Sequence, residues 1–416
     1  MRFLHVADVH LDAPFRARRP ALAARLKEAG RKAFEGAAER AISLEVDAFL
    51  IAGDLLDGDT LSFRTERHLR SVLARLAGAG IQTFYATGNH DPRGALPAGG
   101  EGWPEEVTVF DGPETGRVSV VREGAVVGWV TGAGHGDARV SDDLSLGFPT
   151  PEGDAPEVAL LHTQVVGATD ADRHDRYAPS SLSQLHSSGF DYWALGHVHT
   201  RQSLSDRPPI HYPGSLIGRH PGESGPRGGL LVELERGTMP RIEFLEFAPL
   251  RWERMRAQGL DTVRRPQELV DRVVGRWEEE RSGDPGLPGG EWILRVEVAG
   301  SSPLHAPLSA PENVQEVEEA LVERLGLLEV ELDTSGLRPP LSAEEWHGRP
   351  DVLGEALRLL AQVEEEEGGS ASGLLGVSSS ELATPGVEDV DRYVRELLRG
   401  EEPSLIQALL RDRSPG

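Results

Sequence analysis

The sequence predicts an α/β chain, with a largely parallel sheet in its N-terminal half, a small α/β module after it and a helical C-terminal segment. Three observations carry this. Short apolar runs at 3–7, 48–52 and 81–86 alternate with stretches of helical period at 20–45 and 63–77, the βαβαβ pattern of a parallel sheet. Composition shifts near Leu250, where charged helical stretches and a Gly/Pro linker at 283–290 replace the apolar runs. Finally, 12 of the 14 histidines fall between His5 and His220, which concentrates coordinating side chains in the first half.

Further elements follow in order. The Gly/Pro-rich region 94–156 holds short strands at 118–121 and 125–130 and reads as loops and β structure over one edge of the sheet. Apolar runs resume at 158–161, 192–195, 210–212 and 229–234, and the sheet ends near Phe247. Residues 250–340 read as a module with helices near 266–280 and 311–324 and strands at 292–298 and 327–332. Residues 341–416 hold a helix at 353–363, an acidic run at 364–367 that reads as a solvated helix end, a Gly/Ser stretch at 368–380, and amphipathic helices at 387–398 and 403–410. The predicted divisions are therefore 1–249, 250–340 and 341–416.

Composition excludes several classes of function. With 43 basic against 68 acidic residues the formal charge is −25, so bulk charge does not attract nucleic acid or anionic lipid, and any polyanionic substrate must be held locally. All but two of the basic residues are arginine, a bias that a GC-rich genome explains. Absence of cysteine removes disulfides, iron–sulfur clusters, zinc ribbons and thiol nucleophiles. The opening apolar run meets a charge at Asp8, short of a signal-peptide core, and no later stretch offers about 20 apolar residues. These features predict a cytoplasmic chain with no membrane partner.

The chemistry lies in what closes each apolar run. Asp8-Val9-His10 follows the first, Gly53-Asp54 the second, Gly88-Asn89-His90-Asp91 the third, His162 the fourth and Gly196-His197-Val198-His199 the fifth. Ligands of open α/β sheets collect at the carboxyl ends of strands, so these side chains are expected on one rim. Carboxylate, imidazole and one amide oxygen without sulfur suit two borderline divalent ions, manganese or iron, better than magnesium or structural zinc. Two such ions need a shared carboxylate, and Asp54 is the natural bridge. Glycines before Asp54, Asn89 and His197 allow sharp turns and close backbone approach.

These five segments, in this order, resemble the calcineurin-like metallophosphoesterase superfamily. The resemblance implies a layered sandwich fold, with Asp8, His10, Asp54 and His199 on one metal and Asp54, Asn89, His162 and His197 on the other. It places His90 beside the phosphate as the catalytic histidine, protonating or stabilising the leaving sugar oxygen. A narrower similarity, to SbcD-type and YhaO-type DNA repair exonuclease subunits, rests on residues 7–15, 190–197 and 212–215, and on Gly218-Arg219-His220 with Glu223, Gly225, Arg227 and Gly228. It implies a two-metal DNA phosphodiesterase, a capping domain and a C-terminal segment that binds an SbcC-like coiled-coil ATPase, and it leaves a homodimer open. The alternative is a small-molecule or protein phosphoesterase of the same superfamily.

Other residues carry more modest expectations. His5 reads as a packed core residue and Asp12 as a cap or brace for the Asp8 loop. Asp57 and Asp91 suit either bracing of a ligand or turn stabilisation, and His135 reads as a loop histidine, with lining of the substrate path as the lesser alternative. Arg219 and His220 are candidates for contact with substrate phosphate, with a structural turn as the equal alternative.

Overall fold

A computed structural model of the chain describes residues 1–15, 20–58, 61–95, 103–169, 177–281, 286, 289–339, 352–365 and 398. The chain divides into two compact units, 1–253 with 285–293, and 254–284 with 294–416.

The first unit is a sandwich of two six-stranded sheets. One has the order β12(Arg241–Glu246), β11(Gly228–Glu233), β1(Arg2–Val6), β2(Ala48–Ala52), β3(Gln82–Ala86), β4(Val107–Phe110). In it β1 to β4 run parallel, while β11 is antiparallel to both β1 and β12. The other has the order β5(Gly116–Arg122), β6(Ala125–Ala133), β7(Glu157–His162), β8(Tyr192–Gly196), β10(Pro209–Tyr212), β9(Gln202–Asp206). Here β6, β7, β8 and β10 are parallel, and β5 and β9 add antiparallel edges.

Alternation along the strands builds the layers. Phe3, Leu50 and Phe84 face between the sheets with Val130, Leu160, Tyr192 and Ala194. Leu4, Val6, Phe49, Ile51 and Tyr85 belong to the opposite face, packed with Phe34 of α1(Pro20–Ser43) and Leu69, Val72 and Leu76 of α2(Phe63–Gly78). On the outer side of the second sheet, Leu161, Trp193 and Leu195 pack with Leu185 of α3(Leu182–Ser187) and with Phe190. Strands buried on both faces favour apolar residues at nearly every position, which is why they read in the sequence as near-continuous runs. Ser62 starts α2 by accepting a hydrogen bond from the Thr65 amide at 3.2 Å.

Two expectations need correction. The runs do not form one sheet that ends near Phe247 but two, with β7 and β8 in the second. The region 94–156 is not mainly cover for an edge: only β4 lies at the edge of the first sheet, whereas β6 pairs in parallel with β7 inside the second. Period-2 and continuous apolar patterns mark a strand without naming its neighbour, so the sheet count is not legible from them.

After the sandwich come a three-stranded sheet, in the order β13(Leu250–Ala257), β14(Glu291–Ser301), β15(Glu329–Arg338), of which residues 254–257, 294–301 and β15 belong to the second unit, and that unit's helices α4(Pro266–Arg281), α5(Pro311–Leu325) and α6(Val352–Glu365). Pro311 opens α5 and Gly326, at φ 65°, closes it. The helices expected at 387–398 and 403–410 and the Gly/Ser stretch lie outside the described residues, Leu398 aside. Among the described residues, no helix is long and apolar enough to cross a membrane.

His5 is buried between the sheets as expected. Its Nε2 donates to the Leu195 carbonyl at 3.1 Å, and its Nδ1 lies 3.2 Å from the Tyr192 hydroxyl. Burial, reinforced by the nearby His211, pushes its pKa down to about 3. The unfolded chain therefore takes up a proton below about pH 6.5 that the folded chain refuses until about pH 3, so stability is full above that window and falls as pH falls through it. Removing the group in His5→Gln should flatten the pH dependence of the urea-unfolding free energy between pH 6 and 5 by up to about 1.4 kcal/mol per pH unit. An unchanged slope would show that His5 titrates normally.

Candidate metal centre

The rim where the strands of both sheets end is built from strained turns. Asp8 (φ 50°), His10 (φ 47°), Asp12 (φ 65°), Asp54 (φ 49°) and His197 (φ 104°) are five of the eight non-glycine residues with positive φ among those described. Such backbone costs of the order of 1 kcal/mol per residue and gathers where geometry matters more than stability. Gly88 and Gly196 allow the close approach: a Cβ on Gly88 would strike the Asp54 carboxylate, and one on Gly196 would strike the Ala52 carbonyl. The loops are tied across the layers, with the His10 amide donating to Asp54 O at 2.9 Å and the His197 amide donating to the Asp8 carboxylate at 3.1 Å.

All seven residues expected as ligands meet here. Asp54 Oδ2 stands 3.6 Å from His10 Nε2 and 3.5 Å from His162 Nε2. Asn89 Oδ1 stands 3.0 Å from His162 Nε2 and 3.1 Å from His197 Nδ1. His10 Nε2 and His199 Nε2 are 3.2 Å apart, and His199 Nε2 is 3.8 Å from Asp8 Oδ1. Among the described residues, three groups bring their ligand atoms within 4.8 Å of one another: Asp8, His10 and His199; Asp8, Asp54 and His162; His10, Asp57 and His90.

The protonation chemistry of this donor set fits divalent cations. Burial drives the Asp8 and Asp54 carboxyls above their usual range, and adjacent acids add to it. Burial likewise drives the imidazoles of His10, His162 and His199 below theirs, toward the neutral form. A neutral His162 donates from Nδ1 to the Ala52 carbonyl at 2.9 Å, so its Nε2 lone pair is directed at the amide oxygen of Asn89. His199 donates a hydrogen bond from Nδ1 to Glu223 Oε1 at 2.6 Å, which sets its Nε2 lone pair toward His10. Lone pairs converging in a buried pocket repel one another, and cations among them reverse that sign.

Around this set lie residues that brace it. The Asp91 carboxylate accepts from the amides of Gly88 at 2.7 Å, Leu56 at 2.9 Å and Asp54 at 3.2 Å, fixing the loops that carry Asp54 and Asn89. Asp12 accepts from the Ser62 amide and the Thr65 hydroxyl, both at 2.8 Å, and pairs with Arg31 at 3.5 Å, so it anchors the Asp8 loop to α2. His135 lies in the loop after β6, is buried outright, and pairs through Nε2 with the His162 carbonyl at 2.9 Å.

His90 has a 40% exposed side chain, and its Nδ1 sits 2.5 Å from Asp57 Oδ1. That hydrogen bond raises its pKa despite partial burial. Arg219 extends its guanidinium to 3.7 Å from Asp57 Oδ2. His220, by contrast, is 60% exposed and its Nδ1 accepts from the Gly222 amide at 3.1 Å, capping its own short turn. Spacing in the sequence gives no geometric reason to select Glu223 or Arg227, which reach the site from a turn 24 and 28 residues after His199.

Comparison with known proteins gives this geometry a context. Residues 1–201 match the calcineurin-like phosphoesterase family. The chain is 33% identical over 331 residues to the uncharacterized metallophosphoesterase YhaO of Bacillus subtilis, covering 78% of each. It is 28% identical over 313 residues to the DNA double-strand break repair protein Mre11 of Methanopyrus kandleri, covering 67% of this chain and 61% of that one. Against the SbcD component of the nuclease SbcCD of Rhodobacter capsulatus, identity is 26% over 326 residues, covering 66% of this chain and 76% of the relative. The chain belongs to the calcineurin-like phosphoesterase family and is a metal-dependent phosphoester hydrolase.

Proposed function

We propose that the chain is a two-metal DNA phosphodiesterase, a nuclease that takes manganese or iron and works in DNA repair beside a coiled-coil ATPase. The observation that carries the two-metal reading is the position of Asp54 Oδ2, 3.6 Å from His10 on one side and 3.5 Å from His162 on the other. Asp54 is then the shared ligand, with Asp8, His10 and His199 completing one site and Asn89, His162 and His197 the other. Two divalent ions, when bound, would supply positive charge against the phosphoryl oxygens and a nucleophile at neutral pH.

The chain's own groups do the rest. His90 donates from Nδ1 to Asp57, a bond that raises the pKa of the imidazole and favours its protonated form, and presents Nε2 to the leaving oxygen. Arg219 offers a guanidinium to a phosphate oxygen, while Asp57 restrains both groups. His220 caps its turn and is the weaker candidate for substrate contact.

DNA as substrate is supported by the relatives named as a double-strand break repair protein and as part of a nuclease. A net charge of −25 does not oppose it, because bound ions supply the local positive field. The second relative is named as one component of a complex, and the amphipathic C-terminal stretches of the sequence suit docking on an ATPase, which copurification would test.

The substrate class is separable in one assay. With manganese, the chain should cut an unstructured oligonucleotide and bis(p-nitrophenyl) phosphate while leaving p-nitrophenyl phosphate and a phosphopeptide nearly intact. Rapid monoester or phosphopeptide turnover with intact DNA would instead make it a phosphatase.

A further inference from the structure

The turn after β10 contains a buried carboxylate with no part in the ligand set. Glu223 is 6% exposed and ends the short helical turn Pro221–Glu223. Its Oε1 accepts from His199 Nδ1 at 2.6 Å, and its Oε2 accepts from the Arg219 amide at 2.8 Å. Its backbone carbonyl accepts from Arg227 Nε at 3.2 Å. The same guanidinium donates through Nη1 to the His199 carbonyl and, at 3.2 Å, to the Ser215 hydroxyl. His199 is therefore held at its ring by Glu223 and at its backbone by Arg227. Gly218 completes the turn, since a Cβ there would run into the Glu223 carbonyl.

We propose that Glu223 is a positioning residue of the metal centre, fixing His199 in the tautomer that directs the Nε2 lone pair at the ion while seating the Arg219 backbone beside it. This rests on the two-metal reading of the site. An imidazole whose proton is pinned on Nδ1 has one orientation and one coordinating nitrogen, and a carboxylate partner makes that nitrogen more basic. The second oxygen carries the consequence to Arg219: one rigid group sets both the ligand of one ion and the loop bearing the phosphate-facing guanidinium. Only an acceptor-only side chain can do both, because both of its partners are donors.

Glutamine tests this at constant size. If the amide oxygen of Glu223→Gln takes His199, its NH2 opposes the Arg219 N–H. If the amide is reversed, its NH2 donates to Nδ1, moves the imidazole proton to Nε2 and removes the coordinating lone pair. Either way one of the two links is lost.

The full-length wild type, Glu223→Gln and Glu223→Asp would be titrated with manganese by calorimetry, with bound ions counted by mass spectrometry. We expect two ions in the wild type. In Glu223→Gln, one ion should bind as in the wild type and the other about 10- to 100-fold more weakly, the usual cost of losing a ligand's hydrogen-bond partner. Glu223→Asp, which keeps the charge and loses reach, should fall between. Two ions at wild-type affinity in Glu223→Gln would overturn the proposal. So would equal weakening of both ions with a lower melting temperature, which marks a role in the fold. A wild type that binds no manganese would overturn the two-metal reading itself and leave Glu223 no ion to serve.

Discussion

Asp54→Asn should cost the chain both ions and lower diesterase turnover by at least about 10³-fold, equivalent to roughly 4 kcal/mol of transition-state stabilisation. One carboxylate oxygen lies within 3.6 Å of an imidazole from each ligand group, so a single substitution reaches both sites. Asparagine keeps the shape and can keep the acceptor that takes the His90 amide at 2.9 Å, but it removes the shared negative charge. The effect on the metal-free fold should have the opposite sign. Burial and Asp91 drive the Asp54 carboxyl toward its protonated form, so a neutral amide is the easier group to bury there. Metal-free Asp54→Asn should therefore melt no lower than the metal-free wild type, while manganese should raise the melting temperature of the wild type only. Undiminished turnover in the variant, or full wild-type activity in chelator, would end the two-metal claim.

The contrast between Asp54 and Glu223 shows where the sequence is legible. Strands buried on both faces are mostly apolar, so β1, β2, β3, β7 and β8 stand out as runs, and the polar residues that close them stand out by contrast. Those closing residues are the ones that line the rim. Edge strands lack this contrast: β9 (Gln202-Ser203-Leu204-Ser205-Asp206) and β12 (Arg241 to Glu246) are half exposed and carry no run. The bracing residues lack it too. Glu223 and Arg227 reach the centre through hydrogen bonds spanning 24 and 28 residues, Asp12 ties its loop to α2 through one spanning 53, and nothing in their local spacing announces the partner. Asp57 reads in the sequence only as one of several plausible braces, because its neighbours there do not reveal that His90 and Arg219 both turn toward it. That the strand ends come from two sheets is likewise a matter of pairing, which runs of apolar residues do not encode.

His90→Gln should separate chemistry from metal binding. The side chain is held by Asp57, whose carboxylate lies well below its usual pKa range: burial opposes the charge, but the His10 imidazole, its Nδ1 3.7 Å away, and the hydrogen bond from His90 outweigh it. The contribution of His90 to the ligand set runs through its backbone, whose amide donates to Asp54 Oδ1 at 2.9 Å, and glutamine preserves that amide. Metal content should stay near two per chain. The rate on DNA should fall by about 10²–10⁴, the usual range for a general acid. The leaving group supplies a further control. A deoxyribose oxygen needs a proton as it departs, whereas p-nitrophenolate leaves without one, so the loss should be at least tenfold smaller on bis(p-nitrophenyl) phosphate, on the order of one power of ten in rate. An equal loss on both substrates would show that His90 stabilises phosphoryl charge and donates no proton. Loss of metal would show something different: His10, Asp57 and His90 also bring their ligand atoms within 4.8 Å, and an ion bound by that group would make His90 a ligand. Counting ions in the variant therefore decides between the two roles before any rate is measured.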